Sequence, residues 1–466
     1  MALRALLLGL GALGACSKPD ADKLPGAAAP PTLASATKPP AAASALTQAS
    51  AAPQASAAPK APKAPEAPEP ALPYNVILIM IDSMRADMPW TGYPRDIAPW
   101  LTRYQKGCVT YTQGYSLSSY TAKSVVPALV GEYPSAMVRD GMFFTRYPDA
   151  DNLFISERAR AAGHFTLSGQ AHGYFLPALG NNQGFDDYRL IPGGVDIKAV
   201  TSVTGDRLTK LAKDMLGDPK LATLPDTKRF FAYFHYMDPH HTYEKHAGHP
   251  DFGDQPRDRY DNEIHYTDQL VGELIDWTQT QPWAKRTAVI ITADHGEGFG
   301  EHNHFRHAYE LWESLIKVPL ILCVPGAPAR TSNVRRGHID LAPTIAALMG
   351  LPETPPFRGK SLLPEVFGAP IEPRVVVSDL ARSDLMDRRR AVIDTSGYKV
   401  IGFGDDRSFQ LYNLEKDPNE EHDLAKTEPE QFERMKQVYA ETSAMIPVVP
   451  VVGGATLKGA PPGQRY

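Results

Sequence analysis

Cysteine is scarce in this chain: Cys16, Cys108 and Cys323 are the only three in 466 residues. Three cysteines without paired spacing exclude a disulfide framework and a cysteine zinc site. Cys108 and Cys323 read as small core residues, and structural disulfides are not expected to hold the fold together. Positive charge is not in excess either. A formal net charge of -5 leaves no basic footprint of the kind that sequence-independent binding to nucleic acid requires, so nucleic acid is excluded as a partner. Beyond the N-terminus no apolar run is long enough to span a bilayer as a helix. Aromatic residues are missing altogether from residues 17–73, which are built almost entirely from Ala, Pro, Ser, Thr and Lys. Such a segment cannot bury enough surface to offset the entropy of ordering, and is expected to be a disordered, proline-stiffened tether.

The first twenty residues, "MALRALLLGLGALGACSKPD", carry one basic residue, a short apolar run and then small residues. Leu13, Gly14, Ala15 and Cys16 resemble the lipobox of a bacterial lipoprotein signal, which would make Cys16 the lipidated first residue. An ordinary secretory signal with an incidental cysteine is the other reading. Both export the protein to the cell envelope, and the lipidated form would be anchored to a membrane, at the outer membrane or in the periplasm.

What is present begins at Tyr74. Six consecutive apolar residues, Val76 to Ile81, end abruptly at Asp82, the pattern of a strand buried on both faces of a parallel sheet. Ala288 to Thr292 repeat it, with Asp294 and His295 just beyond. A third strand, Phe230 to Phe234, leads into His235, Asp238, His240 and His241. Between strands lie helical patterns, such as the stripe Ile264, Val271, Leu274 and Ile275. This alternation predicts an α/β domain with a mostly parallel sheet. Ligands in such sheets gather at the carboxyl ends of strands, so the three polar clusters are expected to meet in one crevice.

Ten of the fourteen histidines fall between His235 and His307. Carboxylates and imidazoles together suit a divalent cation such as Zn²⁺, Mn²⁺ or Ca²⁺. Seven residues, Ser118 to Ser124, crowd five hydroxyls and Lys123 ahead of an apolar run. A cation beside a hydroxyl lowers its pKa and neutralises an incoming anionic ester, which is the logic of metal-assisted phosphoryl or sulfuryl transfer. The bland alternative is a set of surface histidines and strand-end aspartates that cap helices. Two basic runs, residues 334–337 and 387–392, could steer an anion but read as solvated faces.

From about Asn75 to about Ala425 the chain resembles the sulfatase family of the alkaline phosphatase superfamily. "NVILIMIDSMRAD", "APWLTRYQKGCVTYTQGYS", "AGHFTLSGQAHG", "FFAYFHYMDPHHTY", "YDNEIHYTDQLVGELID", "TADHGEGFGEH", "LWESLIKVPLIL", "HIDLAPTIAALMGL" and "FQLYNLEKDPNEEHDLA" follow in family order. The resemblance implies an alkaline-phosphatase-like α/β sandwich with a mostly parallel central sheet and a small C-terminal antiparallel sheet subdomain. The expected organisation is a signal and lipobox over 1–16, a tether over 17–73, a catalytic domain over 74–370, a C-terminal subdomain over 371–450 and a flexible tail over 451–466.

Carried over residue by residue, the resemblance makes Asp82, Asp294 and His295 ligands of one divalent ion (Zn, Mn or Ca). His240 and His307 become substrate-side histidines, with His304 a neighbour of His307 and His172 retained at a substrate-facing position. His235 and Asp238 are read as supports of the strand end. Two departures stand out. Ser83 replaces the second acidic residue often found in the family, and Gln170 replaces the usual lysine.

The largest departure concerns the nucleophile. Sulfatases proper carry a cysteine or serine that is converted to formylglycine. Counting back from "GEYP" without a gap puts Thr121 there, with Val125 at the arginine position of the conversion motif. A shifted reading places Ser119 at the head with Lys123 in place of arginine, and requires two extra residues before Gly131. A threonine resembles phosphoethanolamine transferases and lipoteichoic acid synthases, in which it would be both nucleophile and metal ligand. Three readings stay open: a hydrolase or transferase of phosphate or sulfate esters using Thr121, a sulfatase using modified Ser119, and an inactive relative that binds anionic envelope glycans. Oligomeric state is not legible.

Overall fold

The computed structural model describes residues 73–148, 151–191 and 203–452. The expected signal, Cys16, almost all of the tether and nearly the whole C-terminal tail lie outside the described residues. No helix among the described residues is long and apolar enough to cross a membrane.

The central sheet is built on β1 (Asn75–Ile81), β2 (Val109–Tyr115), β3 (Phe165–Gln170), β4 (Asp187–Leu190), β5 (Phe230–Tyr236) and β6 (Thr287–Ala293). A small hairpin, β7 (Gly298–Phe299) and β8 (Phe305–Arg306), stands apart from it. β9 (Lys317–Cys323), β10 (Arg330–Ser332) and β11 (Arg336–Gly337) complete the large sheet. Its order is β10-β2-β9-β6-β1-β5-β3-β4, with β11 also on β2. All pairs are parallel except those of β9, which runs against both β2 and β6. The sheet is therefore mixed, with a parallel half around β1 as the sequence predicts.

β1, β5 and β6 are buried along their whole length. Alternation divides their side chains between two cores. Val76, Leu78 and Met80 face the layer containing the helices Thr121–Val130 and Leu341–Met349. Ile77, Ile79 and Ile81 face the layer of Gly205–Leu216 and Pro256–Thr278. The predicted stripe Ile264, Val271, Leu274 and Ile275 lies buried on the last of these helices. With both faces covered, near-continuous apolar runs, β-branched in β6, mixed aliphatic in β1 and largely aromatic in β5, are the stable choice for these strands.

Near the C-terminus, β12 (Val376–Leu380), β13 (Arg389–Ile393), β14 (Tyr398–Phe403) and β15 (Ser408–Asn413) form an antiparallel sheet in sequence order. The helix Pro429–Ala444 covers one face through Met435 and Tyr439. The other face packs on Tyr115, Tyr120 and Leu311, next to the first turn of the helix that starts at Thr121.

Two expectations are corrected here. Cys108 and Cys323 are not independent core thiols but form a disulfide, with Cα atoms 4.5 Å apart. They flank the antiparallel pair Val109 and Leu322, so the register of β2 against β9 sets them opposite each other. The crosslink closes a loop of 215 residues, a length at which the chain-entropy argument gives a stabilisation of about 5 kcal/mol. Replacing both cysteines by serine is expected to lower the denaturant midpoint measurably, and reductant to lower it for the unaltered protein but not for the double variant. The basic runs are also not solvated faces. Arg336 is buried in a two-point ion pair with Glu365, and Arg390 is buried against Asp379.

Candidate metal centre and nucleophile

The register of three strands assembles the site. Ile81 pairs with Tyr236 on one side and Ala293 on the other, so β1, β5 and β6 reach their carboxyl ends together. Asp82, His235 and the pair Asp294 and His295 are thereby brought to one edge. Ser83 adopts a left-handed backbone (φ 57°), an uncommon conformation for a residue with a side chain, and this turn puts its two donors to use. Its hydroxyl donates to Asp82 Oδ1 (2.7 Å) and its N–H to Asp294 Oδ1 (3.2 Å), an oxygen that also accepts the His295 N–H (2.9 Å). Both Oδ1 atoms are thus satisfied, and both Oδ2 atoms are left for the site. Asp294 Oδ2 is buried without a hydrogen-bond partner, a costly condition unless something positive faces it.

The tautomer of His295 follows from its second nitrogen. Nδ1 lies 2.8 Å from the Gly296 carbonyl, which can only accept, so Nδ1 carries the proton and Nε2 presents a lone pair. Asp82, Asp294 and His295 offer donor atoms that all lie within 4.8 Å of one another, each residue fully buried. Thr121, the first residue of the helix Thr121–Val130, extends the group. Its Oγ1 is 3.2 Å from Asp82 Oδ2 and 3.1 Å from His295 Nε2. One hydroxyl proton faces two acceptors there. One turn on, Ser124 donates to the Asp294 carbonyl (2.5 Å) and ties the helix to the end of β6.

The electrostatics suit a cation. Burial, reinforced by the nearby Asp82, pushes Asp294 up to about 7. Burial also favours neutral Asp82, but the hydrogen bond from His235 and the surrounding imidazoles outweigh it and hold Asp82 well below the usual range. Burial, with His307 nearby, takes His295 down to about 4. Two carboxylates and a neutral imidazole converging in a dry site make a ready ligand set for a divalent ion.

A row of imidazoles runs outward from this centre. Ring centroids are 4.4 Å apart for His295 and His307, 5.1 Å for His307 and His240, and 5.9 Å for His240 and His172. Burial lowers His240 to about 3 and keeps it neutral. His307 differs. Burial alone would lower it, but its Nδ1 lies 3.2 Å from the buried Glu297 carboxylate, and that charge raises its pKa instead. Glu297 is itself fixed by the Tyr243 hydroxyl (2.7 Å). The loop carrying His307 is strained: Arg306, Ala308 and Tyr309 all take left-handed conformations, the kind of cost that persists where surrounding contacts enforce it. Phe143 stacks between Tyr120 and Tyr309, Phe144 stacks on Tyr174, and the exposed faces of Phe144 and Tyr309 give the site an apolar rim.

The other residues singled out from the sequence have distinct places. Ser119 is buried, with its hydroxyl on the Glu310 carbonyl (2.6 Å) and its own carbonyl accepting the Ala308 N–H (2.7 Å), so it anchors the His307 loop. Lys123 is buried with its ammonium on the Ala381 carbonyl, and burial, aided by Arg139, brings its pKa down to about 7. His172 Nδ1 accepts the Tyr174 N–H. His304 keeps a buried Nε2 that has no hydrogen-bond partner. Gln170 ends β3 and donates to Ser168. Asp238 accepts the N–H groups of Thr204 and Gly205 at the start of the helix Gly205–Leu216. His235 is more than a support of the strand end, because its Nε2 lies 3.3 Å from Asp82 Oδ2. Glu297 was not singled out at all, although it sits inside "TADHGEGFGEH".

Residues 74–351 match the sulfatase family model, and residues 300–445 match the model described as N-sulphoglucosamine sulphohydrolase, C-terminal. The chain belongs to the sulfatase family. Among curated sulfatase relatives, it is 29% identical over 165 residues to the uncharacterized sulfatase YidJ of Escherichia coli (strain K12), covering 34% of this chain and 32% of that protein. Human arylsulfatase K is 30% identical over 176 residues, covering 35% and 32%. The chain thus spans about a third of the length of the curated relatives it matches. The phosphonate monoester hydrolase of Silicibacter pomeroyi shares the fold, with a TM-score of 0.62 at 19% identity, over 80% of this chain and 96% of that one. As expected from the sequence, this sulfatase-family chain combines a large mostly parallel central sheet with a small antiparallel sheet near its C-terminus.

Proposed function

We propose that this protein is a metal-dependent hydrolase or transferase of phosphate or sulfate esters, with Thr121 as nucleophile and phosphate esters as the favoured class. The observation that carries the reading is the position of Thr121 Oγ1, within 3.2 Å of both Asp82 Oδ2 and His295 Nε2 on the first turn of a buried helix. A divalent cation held by Asp82, Asp294 and His295 would supply the charge that lowers the pKa of the Thr121 hydroxyl and neutralises the anionic ester.

The chain's own residues do the rest. Thr121, as the alkoxide, attacks phosphorus; the Oγ1–P bond forms as the bond to the leaving oxygen breaks, and the leaving oxygen takes its electron pair and a proton from His307. His307 then accepts a proton from the incoming water or acceptor hydroxyl, whose oxygen displaces Thr121 and restores the alkoxide. Neutral His240 and His172 can donate hydrogen bonds to the nonbridging oxygens. The apolar rim at Phe144 and Tyr309 would flank the leaving group. Phosphate is favoured because a sulfated threonine lacks the hemiacetal by which formylglycine expels sulfate. That a phosphonate monoester hydrolase shares the fold is consistent with this preference. The Cys108–Cys323 disulfide supports an oxidising compartment, in keeping with export and lipid anchoring through Cys16.

The test is a panel of aryl phosphate monoesters, phosphodiesters, phosphonates and sulfates assayed with added Zn²⁺ or Mn²⁺. Turnover of a phosphorus ester is expected, with acid-quenched protein carrying the phosphoryl group on Thr121. Formylglycine at Ser119 in active protein, or no turnover of any ester by metal-loaded protein, would overturn the reading.

A further inference from the structure

Five donor atoms at the ends of β1, β5 and β6 and the start of the Thr121 helix close into a ring. Around it, Thr121 Oγ1 is 3.1 Å from His295 Nε2, which is 3.3 Å from Asp294 Oδ2. Asp294 Oδ2 is 3.9 Å from His235 Nε2, which is 3.3 Å from Asp82 Oδ2, and that oxygen returns to Thr121 at 3.2 Å. Donors each about 2.0–2.2 Å from a shared ion lie on the order of 3–4 Å from one another, and every edge of this ring falls in that range; Asp82, Asp294 and His295 are the three whose donor atoms all lie within 4.8 Å of one another, and His235 joins them through its two carboxylate edges.

His235 is equipped for the position. It is fully buried on β5, at Met80 in the register of β1, so the strand rather than a mobile loop aims its ring. Its Nδ1 is 2.8 Å from the Tyr233 hydroxyl, two residues back on the same face, and Phe175 packs against the ring at 4.8 Å. A hydrogen bond at one nitrogen that fixes the ring and leaves the other facing two carboxylates is the outer-shell arrangement typical of a metal-binding histidine. With a metal bound, Nδ1–H would donate to the Tyr233 hydroxyl and free Nε2 of the proton it otherwise shares with Asp82, the role that the Gly296 carbonyl plays for His295.

We infer that His235 is a fifth donor to the metal, and that a set of two imidazoles, two carboxylates and one hydroxyl selects a transition metal such as Zn²⁺ over Ca²⁺. Calcium takes six to eight oxygen ligands and gains little from imidazole, whereas nitrogen donors favour the zinc class. The inference rests on the metal-dependent reading above but is tested without substrate, so a protein that binds metal and turns over nothing still answers it.

The experiment titrates Co²⁺ into metal-free full-length protein, follows its visible absorption, and then competes with Zn²⁺ and with Ca²⁺. For the unaltered protein, Zn²⁺ is expected to displace Co²⁺ and millimolar Ca²⁺ to leave it in place. His235→Ala is expected to weaken Co²⁺ binding by about 100-fold or more and to change the absorption spectrum. His235→Asp, which restores an oxygen donor, is expected to recover binding while narrowing the preference for Zn²⁺ over Ca²⁺. Far-UV circular dichroism and melting of the metal-free variants separate lost ligation from lost folding. An unchanged Co²⁺ affinity and spectrum in folded His235→Ala would overturn the inference and make His235 a positioning residue for Asp82. Equal competition by Ca²⁺ and Zn²⁺ in the unaltered protein would overturn the selectivity.

Discussion

Thr121→Ala is expected to lower kcat on the best phosphorus ester by on the order of 10⁴–10⁶, the range seen when a hydrolase loses its nucleophile. The methyl group that remains cannot form the covalent ester, and the adjacent acceptors Asp82 Oδ2 and His295 Nε2 lose the hydroxyl between them. Thr121→Ser keeps an oxygen on the same helical turn and should retain a measurable fraction of the rate. Ser119→Ala makes the informative contrast. Its hydroxyl holds the Glu310 carbonyl, so its loss loosens the His307 loop without removing the reacting atom, and a modest reduction in rate is expected. Steady-state rates and acid-quenched mass analysis of the three variants check this. A Thr121→Ala protein as active as Ser119→Ala, or a phosphoryl group still found on it, would remove Thr121 from the chemistry.

The contrast between the two hydroxyls also shows how far the sequence could be read. Val76–Ile81 and Ala288–Thr292 announce themselves because strands covered on both faces need continuous apolar runs, and the acids that end such runs are conspicuous. The spacing from Thr121 to Gly131 could be counted, and the structure sets Thr121 beside Asp82 and turns the hydroxyl of Ser119 to a backbone carbonyl. What escaped depends on partners remote in sequence. Cys108 and Cys323 meet only because β9 runs antiparallel to β2, an arrangement that a parallel reading of the sheet does not anticipate. His235 looked like a strand-end support, since nothing local reveals that β1 and β5 end in register. Arg336 and Arg390 looked solvated because Glu365 and Asp379, which neutralise them in the interior, lie in other segments. Glu297 was passed over inside a motif already explained by its neighbours, yet it is the charge that sets His307 apart from the other imidazoles.

That charge yields the second large effect. His307→Gln is expected to lower kcat by about 10²–10⁴, the usual contribution of a positioned acid or base. The loss should be greater for alkyl esters than for aryl esters, whose leaving oxygens need less help from a proton. The sign of the pH dependence follows from the pair. Burial would strip the proton from His307, but Glu297 more than offsets it and raises the pKa, so the acid form persists to higher pH than in a free imidazole. Activity in kcat/KM should therefore fall as pH rises through that raised value. Glu297→Gln removes the offsetting charge, and the alkaline limb should move to lower pH while the nucleophile stays intact. In His307→Gln the limb should disappear, and because on the proposed reading the same imidazole would act as base for the second half-reaction, the threonyl ester should accumulate with an aryl substrate. If the alkaline limb kept its place and steepness in both variants, protonation of the leaving group would belong to another residue, with His240 the next imidazole outward from His307 at 5.1 Å between ring centroids.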